Sequence, residues 1–463
     1  MERTATISGG GPVGCVLAVL LARRGWRVRV LERRPDPRQA ATPAGRSINL
    51  VLTERGLRGL APIGLREEVL SITTPVFGRM MHDREGRLAY QPYGKDRSER
   101  NHSVSRAELQ RFLLDRAEAA GARIEFDAAV VDADLERGQL TVESHAGQRR
   151  TLEARHVFGC DGAPSGLRAA LSAAGLVQDR LEPLPWGYKE LTFPALPDGG
   201  WAMDSNALHI WPRGAHMLMG LPNRDGTFTG TVYLPWEGAQ GSFQALNGVQ
   251  AVRGFFQAEY PDAVPLLGPD LAGEFLANPT GHLDTVRCAP WHHQDRALLL
   301  GDAAHAVVPF FGQGLNCGFE DCAVLDELLA AQGQDLGAVF AAFSSRRKPN
   351  ADAIADMALE NFVEMRDKVG DPAFLLRKQV ESRLERELPQ LYRSRYAMVV
   401  YSSIPYAVAR ELGRVQDELL SELCRGVDAP EQVDLDRARA LIAERLTPLR
   451  KRHGVDLTVA FSN

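Results

Sequence analysis

Cysteine is scarce in this chain: six are scattered at positions 15, 160, 288, 317, 322 and 424 of 463 residues. That sparseness excludes a disulfide framework and makes a reducing, cytoplasmic compartment the expectation. An excess of positive charge is missing too. With 54 Lys and Arg against 59 Asp and Glu, the net charge is −5, which leaves no field for nucleic acid or for an anionic membrane surface. Long hydrophobic runs are also lacking, since residues 13–22 supply about half of the ~20 needed to span a bilayer. No basic segment precedes that run and no small-residue cleavage site follows it, so it does not read as a signal peptide. The tail KRHGVDLTVAFSN is expected to carry no anchor. Internal repeats and low-complexity segments are absent. What is plentiful is core material: 44% of the residues are hydrophobic, enough for two or three domains. Small molecules are the expected partners, and a monomer or homodimer the expected assembly.

The first 35 residues read strand, turn, helix, strand, as TATIS, GGGPVG, CVLAVLLARRG and WRVRVLE. Helical apolar spacing and β-branched strands make this a βαβ unit. LQRFLLDRAEAAGARIEF repeats the α/β rhythm at 109–126. From about 186 to 236 the texture changes to short β-branched and aromatic segments divided by Gly, Pro, Asn and Asp, which predicts an antiparallel sheet. Roughly 317–460 is helical, interrupted by Pro372, Pro389, Pro405 and Pro430.

Gly9, Gly11 and Gly14 follow the first strand at the spacing Gly-x-Gly-x-x-Gly, and Glu32 ends the second. Such glycines allow a tight turn, close approach of backbone to a pyrophosphate, and close packing of helix on strand. Pro12 suits the first helical turn, where its missing N–H costs nothing, and Glu32 is placed to accept from a ribose hydroxyl. The motif does not choose between NAD and FAD.

Two further stretches bear on that choice: GCDGAPSGLR at 159–168 and GDAAHAVVPFFGQGLN at 301–316. Each runs from an apolar strand into an Asp beside a Gly, then into a helix. Together with Arg106 in SRAELQRFLL, they resemble the motifs of the single-component FAD-dependent aromatic hydroxylases, the p-hydroxybenzoate hydroxylase-like family. The resemblance implies an α/β fold: a Rossmann-like FAD-binding domain (1–70, 96–180 and 286–345), an inserted antiparallel-sheet substrate domain (71–95 and 181–285), and a C-terminal helical region (346–463). It implies FAD held by Gly9, Gly11, Pro12, Val13, Gly14, Glu32, Arg33, Arg46, Arg106, Asp161, Asp302, Gly312, Gly314, Leu315 and Asn316. Gly162 and Arg168 would complete the second motif, and His305 would be scaffold. No second Gly-x-Gly-x-x-Gly unit follows a strand, so NADPH is expected to visit transiently. Cys317 and Cys322 lie about 140° apart around a helix, which makes them core residues rather than a redox pair. His292, His293 and Asp295 face opposite ways on an extended segment, and no metal site is expected.

Within this family, GRSINL, QPYG, GYKEL, ALHIWP, FFGQGLNCGFED, MALENFVEM and RYAMV are similar to strings in the branch that hydroxylates L-kynurenine in tryptophan catabolism and NAD biosynthesis. The implied reaction uses NADPH and O2 and delivers oxygen to the ring from a C4a-hydroperoxyflavin, giving 3-hydroxykynurenine. Carried over by position, Arg79 would bind the substrate carboxylate, with Tyr93, Asn361 and Tyr396 as hydrogen-bonding partners. Leu208, Met217, Met219, Leu221, Tyr233, Pro309, Phe310 and Phe311 would wall the ring. On its own, Arg79 reads as a solvated or ion-paired arginine, and the apolar set as ordinary sheet core. Met219 and Tyr233 depart from the branched aliphatic residue and the phenylalanine that the branch has there, which leaves open a substituted kynurenine as substrate. A flavin-dependent reductase without oxygen insertion is the alternative from another class. The resemblance implies the soluble form, without the C-terminal hydrophobic anchor of membrane-bound members.

Overall fold

The computed structural model describes residues 3–39, 49–333, 335–367 and 372–461. Its first layer is a six-stranded sheet in the order His292–His293, Ala297–Leu299, Val157–Gly159, Thr4–Ser8, Arg27–Glu32, Arg123–Phe126. All neighbours are parallel except the His292–His293 edge. Successive residues of Thr4–Ser8 are buried, because the sheet is covered on both faces. The helices Pro12–Arg23, Arg106–Ala119 and Gly314–Gln332 share its core through Leu17, Leu113 and Phe319. Register aligns the strand ends: Ser8 lies opposite Leu31 and Gly159, and Gly159 opposite Leu299. The turns at Gly9, Cys160 and Gly301 therefore leave from one edge of the sheet, beside Glu32. Nucleotides bind at that edge in open parallel sheets.

The second layer is a seven-stranded sheet, Gly281–Ala289, Gln178–Phe193, Phe228–Pro235, Met217–Pro222, Ala207–Pro212, Gly78–His82, Leu88–Pro92. It is antiparallel except where Ala207–Pro212 runs parallel to Gly78–His82. Alternation sends its side chains to two separate cores. Phe193, Trp211, Leu218 and Val232 pack with Phe256 and Phe275. Leu208, Ile210, Met217 and Tyr233 pack with Phe310 and Phe362, which come from the flavin-motif turn and from the long helix Leu336–Asp367. That helix and those that follow, chiefly Pro372–Glu387, Arg395–Tyr401 and Tyr406–Leu423, form a further core around Tyr392, Met398, Tyr406 and Leu419. Two three-stranded sheets complete the fold. No helix among the described residues is long and apolar enough to cross a membrane.

Behind the second sheet lies a buried polar chain. His82 Nδ1 is 3.0 Å from Asp262 Oδ2, and its Nε2 is 2.9 Å from His209 Nδ1. Trp211 stacks on His82 with ring centres 3.9 Å apart and donates to Asp262 at 2.7 Å. Burial first, and then His209, push the His82 imidazole down to about 4. The folded pKa lies below the unfolded value, so the unfolded chain takes up the proton first, and stability present above pH ~6.5 is lost as pH falls toward 4. The melting temperature is expected to drop between pH 7 and pH 5, and to drop less steeply in His82→Gln. Equal pH slopes for the two proteins would contradict this.

Candidate functional site

The turn after Thr4–Ser8 requires glycine. Gly9 has φ +100°, and a Cβ there would overlap the carbonyl of Cys160 on the adjacent strand exit. Gly11 differs, because a Cβ there would meet nothing within 4 Å. From Gly11 the helix Pro12–Arg23 starts with no side-chain cap and no acid in its first turn. The helix Gly314–Gln332 starts in the same way after Gln313, whereas Ser105 and Ser165 cap the helices Arg106–Ala119 and Gly166–Ala173. Two uncapped N-termini, each with free N–H groups and a positive dipole end, suit the anionic and carbonyl oxygens of a dinucleotide.

Acidic groups surround this cradle. Glu32 accepts from Gly10 N at 2.8 Å and from Arg34 Nε at 2.8 Å. Burial opposes its charge, but the hydrogen bonds and charge of Arg34 hold it below the usual carboxylate range. Arg34 is thus the partner of Glu32, and Arg33 beside it is exposed, as is Arg34. Asp161 accepts from Ser8 Oγ at 3.0 Å and Leu167 N at 3.2 Å through Oδ2, while its Oδ1 is buried without a partner. Asp302 is exposed at the facing turn, with its Oδ1 3.8 Å from the Cβ position of Gly314. Arg168 joins these two turns by donating to Ala303 O at 2.8 Å and Ala163 O at 2.6 Å. Arg106 is exposed at the start of its helix and makes no ion pair among the described residues. Arg46 lies outside the described residues.

Some members of the set serve through packing. Val13 fills the space over Gly301 and Gly318, and Leu315 packs on the first core. Asn316 is fully buried: it accepts from Thr53 N at 2.8 Å and donates to Val51 O and Gly312 O, both at 2.8 Å. Its side chain clamps Gly312 to the strand Asn49–Leu52, which leaves only its backbone for a ligand. Gln110, not singled out in the sequence, donates to Gly10 O and braces the glycine turn. With the space before Gly11, the uncapped helices and the orphaned Asp161 oxygen, these residues fit FAD.

A second set converges beyond Phe310 and Phe311. Cζ of Arg79 lies 5.4 Å from the Tyr93 ring centre and 5.5 Å from that of Tyr396. These two rings stack at 5.6 Å and 14°, and Tyr396 stacks in turn on Phe311 at 5.8 Å. Half-buried Arg79 has no carboxylate partner among the described residues. Burial opposes its charge, yet the neighbouring Tyr93 and Tyr396 leave it shifted above the usual guanidinium range. Asn101 donates to the Tyr396 hydroxyl at 2.9 Å, and two nearby atoms, Asn101 Oδ1 and Tyr401 Oη, are buried without partners. Asn361 donates to Phe310 O at 2.6 Å, tying the long helix to the turn that precedes Gly312.

Leu208, Met217, Met219, Leu221, Tyr233, Phe310 and Phe311 fall in one apolar cluster with Trp186, Tyr188 and Phe362; Pro309 stands exposed at its edge. Phe310 is 4.6 Å from Phe362 and 5.2 Å from Tyr233 between ring centres. Asn101, Tyr401 and Trp186 lie outside the strings that carry the resemblance, so their membership comes from the fold; Phe362 lies within MALENFVEM but is not singled out there.

His305 lies beneath the turn, with Nε2 2.6 Å from Asp321 Oδ2. Burial disfavours its charge, but Asp321 and Cys317 raise it well above the usual imidazole value. Burial likewise opposes the Asp321 charge, yet His305 and Arg347 hold that carboxyl at about 2. Ligand-type atoms of His305, Cys317 and Asp321 lie within 4.8 Å of one another. Asp321 is already engaged by His305, by Gly301 N at 2.9 Å and by Arg347 Nε at 2.7 Å, so the group reads as an ion-pair scaffold.

Comparison with known proteins agrees with this layout. A family model described as FAD binding domain matches residues 2–358. A kynurenine 3-monooxygenase of Myxococcus xanthus (strain DK1622) is 50% identical over 97% of both chains. One of Xanthomonas oryzae pv. oryzae (strain KACC10331 / KXO85) is 43% identical, covering 97% of this chain and 99% of that one. Among solved structures, the tetrameric form of 2-methyl-3-hydroxypyridine-5-carboxylic acid oxygenase superposes with a TM-score of 0.66 at 21% identity, over 84% of this chain and 98% of that one. P. aeruginosa PqsL in complex with 2-aminobenzoylacetate gives 0.61 at 22% identity, over 79% and 97%.

Proposed function

The chain belongs to the kynurenine 3-monooxygenase family of FAD-binding enzymes, and from that premise we propose how its residues hydroxylate L-kynurenine to 3-hydroxykynurenine. Arg79 carries the reading. A cation among aromatic rings with no carboxylate partner of its own is a place for an anion, and a buried anion needs both a cation and further donors. The α-carboxylate of an amino acid meets Arg79 with the Tyr93 and Tyr396 hydroxyls beside it. Asn101 Oδ1 and Tyr401 Oη, both unpartnered, remain for the α-ammonium and for a second carboxylate oxygen.

The aniline ring then lies among Leu208, Met217, Tyr233 and Phe310, directed toward the backbone at Gly312. Bound FAD, reduced by NADPH, supplies the activated oxygen from O2. The protein fixes the distance between ring and cofactor by holding the far end of the substrate at Arg79. It excludes water with the aromatic wall of Trp186, Phe310 and Phe362. The Asn361 bond to Phe310 O keeps wall and cofactor turn in fixed relation.

The purified protein is expected to carry yellow flavin, to oxidise NADPH faster when L-kynurenine is added, and to yield a product one oxygen atom heavier than kynurenine. NADPH oxidation stimulated by kynurenine with no oxygenated product would favour a reductase. Faster turnover of a ring-methylated kynurenine would move the substrate assignment to a substituted relative, as Met219 and Tyr233 suggest.

A further inference from the structure

Arg393 sits between the helices Pro372–Glu387 and Arg395–Tyr401, 3% exposed. Its Nη2 donates to Glu99, its Nε lies 3.8 Å from Glu385 Oε1, and the Phe461 ring centre is 4.3 Å from its Cζ. Both carboxylates are tied in turn to elements of the substrate site. Glu99 accepts from Lys95 N at 3.0 Å, and a Cβ on Gly94 would overlap its side chain, so Glu99 folds tightly against the residue that follows Tyr93. Glu385 accepts from Ser394 N at 2.7 Å. The Ser394 hydroxyl caps the helix Arg395–Tyr401 by accepting from Ala397 N at 3.2 Å, and Tyr396 is the second residue of that helix.

A buried charge cluster is a poor source of stability, because desolvation offsets the attraction and an apolar trio of similar volume would serve a scaffold as well. What the cluster supplies is fixed geometry between two segments far apart in the chain. We propose that Arg393 is a positioning residue for the substrate site: by bridging Glu99 and Glu385 it holds Tyr93 and Tyr396 in their stack against Arg79. The C-terminal region enters through Phe461 on the guanidinium and through Gln416 of the helix Tyr406–Leu423, which donates to Arg393 O at 2.6 Å. The C-terminal region thereby sets affinity for the carboxylate end of the substrate. The choice of L-kynurenine as probe rests on the reading above; the bridge itself does not.

The test compares the FAD-loaded full chain with Arg393→Gln, Arg393→Lys and Glu99→Gln. In Arg393→Gln, KM for L-kynurenine is expected to rise about tenfold or more while kcat at saturation stays within about twofold, and Arg393→Lys should recover most of the loss. A double variant, Arg393→Gln with Glu99→Gln, should lose less than the sum of the two single effects, since both break the Arg393–Glu99 link. Amide hydrogen exchange without substrate should quicken in residues 94–101 and 394–401 together. If Arg393→Gln fails to fold, Glu99→Gln, which preserves shape, carries the same two measurements. Unchanged KM, or faster exchange confined to one of the two segments, overturns the proposal. A wild type that ignores L-kynurenine counts against the substrate reading alone, and exchange then decides the positioning role.

Discussion

Replacing Arg79 with Met removes nearly all turnover of L-kynurenine at ordinary substrate concentrations while leaving the fold and the bound flavin in place. Losing one partner of a desolvated, hydrogen-bonded ion pair costs about 2–5 kcal/mol, which at about 1.4 kcal/mol per decade lowers kcat/KM by roughly 30- to 4,000-fold. The fold is spared because Arg79 has no carboxylate partner among the described residues, and Met keeps an unbranched apolar stem beside the stacked Tyr93 and Tyr396 rings. Most of the loss should fall on KM, since the carboxylate is held in ground and transition states alike. A substrate analogue lacking the α-carboxylate separates this from general damage: wild type should lose as much on the analogue as it loses through the mutation, and Arg79→Met should scarcely distinguish the two compounds. Unchanged KM for L-kynurenine in Arg79→Met would sink the assignment.

How much of this site could be read from the chain depended on how local each signal is. The cofactor edge is local: every strand, turn and helix that builds it is contiguous, and the glycines at 9, 11 and 14 stand at spacings dictated by backbone geometry. Parallel register then brings three such turns together without further instruction. Side-chain roles within it were less legible. Arg33 and Arg34 are equivalent as text, and only the bend after Arg27–Glu32 gives Arg34 to Glu32. Asn316 reads as a ligand residue, yet its amide is used up in clamping Val51, Thr53 and Gly312. The substrate end is the opposite case. Asn101, Tyr401, Trp186 and Phe362 come from four distant segments with no motif in common. Trp186 and Phe362 meet because the second sheet alternates its faces and the long helix crosses one of them, whereas Asn101 reaches Tyr396 from the strand Asn101–Ser105 of a three-stranded sheet, and Tyr401 ends the helix that carries Tyr396. Family resemblance supplied Arg79 there; nothing in its neighbours GRMMH would have done so.

Gly11→Ala should yield a protein that folds normally and binds FAD poorly, and this separates the cofactor from the scaffold more sharply than any activity measurement. Gly11 has φ −67° and ψ 176°, a conformation open to any residue, and an added Cβ touches no protein atom within 4 Å. The fold has no reason to object to the methyl group. FAD is expected to object, because in the proposed site its pyrophosphate is held by the N–H groups of the helix Pro12–Arg23 and approaches the backbone through that open space. Gly9→Ala is the control. There φ is +100° and the new Cβ overlaps the Cys160 carbonyl, so the βαβ turn itself is strained at a cost of about 1–3 kcal/mol whether or not FAD is bound. In flavin-free protein, the melting temperature of Gly11→Ala should match wild type and that of Gly9→Ala should fall. On titration with FAD, Gly11→Ala should show a dissociation constant raised about tenfold or more, corresponding to at least ~1.4 kcal/mol. A Gly11→Ala protein that takes up FAD as tightly as wild type would mean that the pyrophosphate does not lie against this turn.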